Sequence, residues 1–144
     1  MSESFDFAQA PGHLIRRAQQ IAVSVFAGQM AAMDVTPVQF AILNALMDTP
    51  GIDQVTLAAR VAFDAATSGS VIGRLETKGW VRRQADDHDR RRKLLWLTPL
   101  GVQATLEMKP LVTQVQSDIL GVLDGQEQQQ LLALLNKLIK AHQD

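Results

Sequence analysis

Between Gln54 and Leu97 the apolar residues change their spacing, and that change restricts the chain to few folds. Val55, Leu57, Ala58 and Val61 recur as they would on a short helix running from Gln54 to Val61, with Asp53 where an N-cap belongs. A tight turn at Ala62-Phe63-Asp64 follows. Asp64 can cap a further helix to about Lys78, and Gly79 stands in its C-terminal capping position. Two short helices joined by a tight turn are the outline of a helix-turn-helix. From Trp80 to Ala85 the pattern becomes that of a strand, Asp86-Asp87-His88-Asp89 makes a polar turn, and Lys93 to Leu97 reads as a second strand. A hairpin directly after a helix-turn-helix is a wing.

Longer helices flank this unit. One is expected from Pro11 to Met33, with Leu14, Ala18, Ile21 and Val25 at helical spacing. Another starts at Thr36-Pro37, carries Phe40, Ile42, Leu43, Leu46 and Met47, and ends at Pro50-Gly51. Thr98 caps a helix running from Pro99 towards Val122, which Pro110 is expected to kink or split. Asp124-Gly125-Gln126-Glu127 has capping-box form, and Leu131, Leu134, Leu135, Leu138 and Ile139 make one face of the last helix. The first and last helices are apolar enough to need partners. The expected fold is therefore mainly α with a small β-hairpin wing, formed by one chain over residues 1–144. Residues 36–98 form a winged helix-turn-helix lobe, and residues 11–33 with 99–142 form a helical dimerisation region.

With 144 residues, 47% of them hydrophobic, the chain can bury one real core. It has no cysteine, which excludes disulfides, thiol catalysis and thiolate metal sites. No stretch approaches the roughly 18 apolar residues of a membrane span, and no secretory pattern opens the chain, so a cytoplasmic protein is expected. His13, His88 and His142 are far apart in sequence, no His/Asp/Glu group has ligand spacing, and neither a phosphate loop nor a nucleophile elbow is present. No catalytic residue, metal or cofactor is expected on these grounds. Net charge is only -1, yet residues 60–93 carry nine Lys/Arg against five Asp/Glu, a net of +4, and the rest of the chain a net of -5. A protein that meets phosphate with one face needs such asymmetry more than a basic total.

The span from Asp89 through Arg90, Arg91, Arg92, Lys93, Leu94, Leu95, Trp96, Leu97, Thr98 and Pro99 to Gly101 resembles the signature wing of the MarR family: an Asp, an Arg two residues on, an apolar strand ending in Leu-Thr, then a Gly. Arg74-Leu75-Glu76-Thr77-Lys78-Gly79-Trp80 is similar to that family's exit from the recognition helix. The likeness covers nearly the whole chain. It implies a homodimeric transcriptional regulator, most often a repressor, that binds double-stranded DNA and answers to a small ligand. It also implies that Asp89 and Arg91 brace the wing, while Arg90, Arg91, Arg92 and Lys93 lie near its tip and reach the minor groove. Guanidinium groups on a thin hairpin suit that narrow, strongly negative groove in any case. On the helix after the turn, Ser68, Val71, Ile72 and Leu75 should face inward. Ala66, Thr67, Ser70, Gly73 and Arg74 should face outward, where Thr67, Ser70 and Arg74 can meet phosphate or base edges. Several of these outward residues are small and read few base edges.

A shorter stretch, Gly12 to Gln20, resembles the first helix of family members that sense aromatic carboxylates. His13, Arg17, Gln20 and Ser24 form a polar stripe on an otherwise apolar helix. The expected effector is a small aromatic acid, bound by His13, Arg16, Arg17 and Gln20. Because Arg16 and Arg17 point about 100° apart, one of them is expected to face the pocket. The competing reading is a winged-helix protein–protein module that neither binds DNA nor senses a ligand, although such a module has no need of the basic wing.

Overall fold

The computed structural model describes residues 4–62 and 65–143; Phe63 and Asp64, and with them the expected cap at Asp64, lie outside the described residues. Helix starts coincide with the caps the sequence supplies. α1 (Pro11–Met30) has proline in its first turn. α2 (Pro37–Asp48) opens with a full capping box: the Thr36 hydroxyl accepts from the Gln39 amide and Gln39 Oε1 accepts from the Thr36 amide, both at 3.1 Å. Asp53 caps α3 (Gln54–Arg60) through the Thr56 amide. α4 (Ala65–Thr77) follows the turn, in which Ala62 takes a left-handed φ of 61°. Thr98 caps α5 (Pro99–Leu120), and Asp124 with Glu127 makes a second capping box for α6 (Gly125–Ala141). A short 3-10 turn, Phe7–Gln9, precedes α1.

Three antiparallel strands complete the lobe: β1 (Ile52–Asp53), β2 (Val81–Ala85) and β3 (Lys93–Leu97), in the order β1-β3-β2. The hairpin β2–β3 pairs Val81 with Leu97 through to Ala85 with Lys93. β1, which the sequence pattern did not reveal, pairs Ile52 with Leu95 and Asp53 with Leu94, so the start of α3 is stitched to the wing. Two expectations need correction. α1 stops at Met30, not Met33, because a turn with Asp34 at φ 51° intervenes before α2. Of the kink or split expected at Pro110, the split does not occur: α5 runs unbroken to Leu120. Pro110 lies on the solvent side and Leu106, whose carbonyl loses its partner, is also exposed, so water can take that bond.

The core lies inside the winged lobe. Ile42, Leu43 and Leu46 of α2, Leu57 of α3, Ile72 and Leu75 of α4 and Leu95 of β3 are buried together. The inner ends of the long helices close it with Phe26 and Met30 from α1 and Met108 and Val115 from α5. One corner is unusually tight. Gly79 ends α4 at φ 81°, and its carbonyl accepts from the Thr98 hydroxyl at 2.6 Å. The Thr98 amide donates to the Trp80 carbonyl at 3.0 Å, and a Cβ at Gly101 would overlap that same carbonyl oxygen. α5 therefore starts in backbone contact with the corner between α4 and β2. By contrast α6 buries none of its residues. Leu134, Leu135, Leu138 and Ile139 are exposed on it, as are Leu14, Ile15 and Ile21 on the outer part of α1.

Candidate nucleic-acid interface and effector groove

α4 divides its faces as the spacing predicts. Ser68, Ile72 and Leu75 are fully buried, whereas Ala66, Thr67, Ser70 and Arg74 are exposed and Gly73 is half-buried. Apolar burial fixes the helix against the lobe, so its outward face is presented to solvent on a rigid support. At its C-terminal end Lys78 donates to the Asp34 carbonyl at 2.6 Å and lies 4.7 Å from the Trp80 ring centroid.

The wing turn is closed by its own backbone: Asp86 N donates to Arg92 O at 2.8 Å, and Arg92 N to Asp89 O at 2.9 Å. Asp89 accepts from the Arg91 amide at 3.2 Å and from Arg91 Nε at 3.4 Å, with the Arg91 side chain 94% exposed. An ion pair so exposed contributes little. The stronger ties belong to other arginines. Arg92 places one nitrogen 3.2 Å from Asp86 and the other 3.3 Å from Asp53. Arg83 reaches Glu76 of α4 at 2.7 Å and Gln54 of α3 at 3.0 Å. Arg92, expected near the tip with its neighbours, is thus held between Asp53 of the lobe and Asp86 of the wing turn, with its side chain still 52% exposed. Arg90, Arg91 and Lys93 stay exposed. The Thr56 hydroxyl first, then the Thr56 amide and Arg92, hold the Asp53 carboxyl below its ordinary range against the opposing cost of burial. The His88 amide does the same for Asp86, with Arg92 adding to it, and Asp53 in turn pushes the Arg92 guanidinium up.

A groove of about 160 Å³ opens on the other side of the lobe, where α1 meets the start of α2 and the middle of α5. Gln19, Val23 and Phe26 of α1, Pro37 of α2, and Val115 and Ile119 of α5 line it, together with Ala22 and Gln116. The sequence reading missed this lining, since α5 meets α1 only after folding. It also selected a different stripe of α1. Arg17 bonds Gln20 at 3.0 Å and Arg16 bonds His13 Nδ1 at 3.1 Å, and none of these four residues lines the groove. At about 100° per residue, however, Arg16 stands roughly 60° from Gln19 and one turn away, while Arg17 stands roughly 160° from it. Among the described residues no group of three His, Asp or Glu side chains could hold a metal ion, and no helix is long and apolar enough to cross a membrane.

Comparison with known proteins bears on both regions. Residues 33–92 match the sequence model described as the MarR family. The transcriptional regulator HosA of Escherichia coli O111:H- is 36% identical over 108 residues, covering 75% of this chain and 80% of HosA. The HTH-type transcriptional repressor NicR of Pseudomonas putida is 31% identical over 140 residues, covering 97% of this chain and 89% of NicR. Among solved structures, BpsR of Bordetella bronchiseptica, whose DNA binding is regulated by 6-hydroxynicotinic acid, superposes with a TM-score of 0.92 at 32% identity, over 99% of this chain and 100% of that one.

Proposed function

The chain belongs to the MarR family of transcriptional regulators, and from that premise we propose that it is a homodimeric repressor released from its operator by a small aromatic acid. The observation that carries the reading is the winged lobe itself: a helix anchored by buried Ile72 and Leu75 beside a wing with exposed cations at Arg90, Arg91 and Lys93. Thr67, Ser70 and Arg74 then meet the major groove, and the wing meets the minor groove. The function is regulatory, with no catalytic step, and belongs in the cytoplasm beside the DNA. A protein-interaction module without DNA binding has no use for such a face, and the regulated DNA binding of BpsR speaks against it.

Two copies join through the exposed leucine face of α6 and the outer part of α1, which nothing among the described residues covers. Two-fold symmetry places two recognition helices on half-sites about 34–36 Å apart in a pseudo-palindrome. The effector occupies the groove between α1, α2 and α5. An apolar cavity of about 150 Å³ takes one benzene ring, so the groove, at about 160 Å³, suits a single aromatic ring between Phe26, Val23 and Ile119. Its lining has amides at Gln19 and Gln116 but no cation, so the carboxylate must be met from its edge. Arg16, one turn from Gln19 on nearly the same face, is in register for that task, with His13 holding its guanidinium; Arg17 and Gln20 lie farther round the helix.

Calorimetry with substituted benzoates, cinnamates and hydroxynicotinates tests this. The wild type should bind at least one of them and release its operator. Arg16→Ala should lose about 1.5–3 kcal/mol of effector affinity and keep ligand-free DNA binding, while Arg17→Ala should retain both. If no aromatic acid binds, or if Arg17→Ala loses as much as Arg16→Ala, the effector assignment is wrong.

A further inference from the structure

We propose that Asp53, the N-cap of α3, is a positioning residue for DNA binding: by clasping Arg92 it sets the angle of the wing against the helix-turn-helix. The inference rests on the wing being a DNA contact, as read above, and adds a residue that itself touches no DNA. Asp53 is held on three sides. Oδ2 accepts from the Thr56 amide at 3.1 Å, and Oδ1 accepts from the Thr56 hydroxyl at 2.6 Å and from Arg92 Nη2 at 3.3 Å. Its side chain is only 15% exposed. The cap bonds fix the carboxylate to α3, so Arg92 is tied to a rigid point. The other arm of Arg92 reaches Asp86, where β2 leads into the wing turn. One guanidinium therefore joins the wing turn to the first helix of the helix-turn-helix.

The backbone alone does not make that connection. The β1–β3 ladder ends at the pair Asp53 and Leu94, and the wing continues outward beyond it. A two-stranded hairpin without further support is marginally ordered and free to twist. The Arg92–Asp53 pair carries the link past the end of the ladder, and the Arg83 bonds to Glu76 and Gln54 hold the base. Between wing and α3 this leaves an open cleft of about 210 Å³ whose walls include Val55, Arg91 and Lys93, so the clasp sets how far those two cations stand from α3.

Simple electrostatics predicts the opposite consequence. Removing an aspartate from beside a DNA-binding wing makes it more positive and should tighten binding to any duplex. The clasp predicts weaker binding. Asp53→Thr separates the two, since threonine still caps α3 but offers Arg92 no carboxylate. Operator and random-sequence affinities would be measured across a salt titration, beside wild type, with thermal unfolding as the check on folding. Asp53→Thr should bind operator about fivefold or more weakly, and Asp53→Glu should recover part of that loss. Arg92→Gln, which leaves α3 untouched, should weaken binding comparably without flattening the salt dependence, because Arg92 already has carboxylate partners. Asp53→Thr with Arg92→Gln should be no worse than either alone. Unchanged or tighter binding by Asp53→Thr overturns the clasp. So does a salt slope reduced by about 0.9 in Arg92→Gln, the mark of a lost phosphate contact. Wild-type protein that binds no DNA overturns the functional reading instead, which keeps the two failures apart.

Discussion

The winged lobe and the terminal helices are built from similarly apolar segments but meet their requirements differently. In the lobe, α2, α3, α4 and β3 bury Leu43, Leu57, Ile72 and Leu95 completely, and α1 and α5 each contribute their inner ends. At the other end, α6 repeats leucine as regularly and buries none of it, and Phe5 and Phe7 stand exposed before α1. Helical periodicity shows that a face is apolar; whether the same chain covers it depends on what the fold brings near. The lobe is complete within one chain. The terminal region is half of a structure whose other half is a second copy, on the reading proposed above. α1 belongs to both, with Met30 in the core and Leu14 outside.

The sharpest way to break this contrast is to charge the terminal face. Leu138→Asp or Leu135→Asp should cost about 3–5 kcal/mol of dimer free energy by placing an uncompensated charge in the seam. Sedimentation should then show monomer, circular dichroism should show the lobe still folded, and operator binding should collapse. A wild type that sediments as a monomer at micromolar concentration ends the dimer model. Next, Leu43→Ala in the lobe should destabilise by about 2–5 kcal/mol in chemical denaturation, whereas the exposed Leu134→Ala should cost far less in the isolated chain. Equal losses would mean that the lobe is not the self-sufficient part. Third, Arg90→Ala with Arg91→Ala should weaken binding to all DNA and lower the salt slope by about 0.9 for each phosphate contact removed; an unchanged slope would take those residues off the DNA. Fourth, Ser68 has a fully buried hydroxyl with no partner among the described residues. Ser68→Ala should therefore raise stability by about 1 kcal/mol, measured by thermal unfolding. The smallest effect concerns pH. Asp53 and Asp86 both lie below their ordinary 3.8 in the folded protein. Their contribution is therefore complete above that value and is lost as pH falls through the lower folded values. Between about pH 5 and 8 the clasp should leave unfolding midpoints unchanged; a drop within that window would point to another group.

Local signals were legible. Thr36, Asp53, Thr98 and Asp124 cap helices as their side chains and spacing imply, and β3 spans Lys93 to Leu97 as the change of period indicates. The inward and outward residues of α4 follow from spacing alone. What escaped depends on distant partners. β1 is two residues long, too short to show any period, and exists only because β3 lies beside it. A run of four cations at 90–93 gives no sign that Arg92 pairs with Asp53, 39 positions earlier. Polarity marks the stripe His13, Arg17, Gln20, which does not line the groove. The groove lies along Gln19, Val23 and Phe26, since α5 packs on that side.

The backbone contact between Gly101 and Trp80 gives the molecule a mechanical property. With no side chain between them, the start of α5 is riveted to the corner where the recognition helix hands over to the wing. From Gly101 α5 runs a further 19 residues to Leu120, roughly 29 Å at the usual helical rise. Such a rod is a lever with its fulcrum where α4 meets the wing and its long arm passing the groove that Val115 and Ile119 line. A tilt of only about 3° at the rivet corresponds to roughly 1.5 Å of travel at Leu120, within the range of ordinary helix shifts. Conversely, a modest push along the arm becomes a rotation of α4 and the wing as one block. Leverage of this kind needs a stiff joint, and a chain that admits only glycine at residue 101 supplies one.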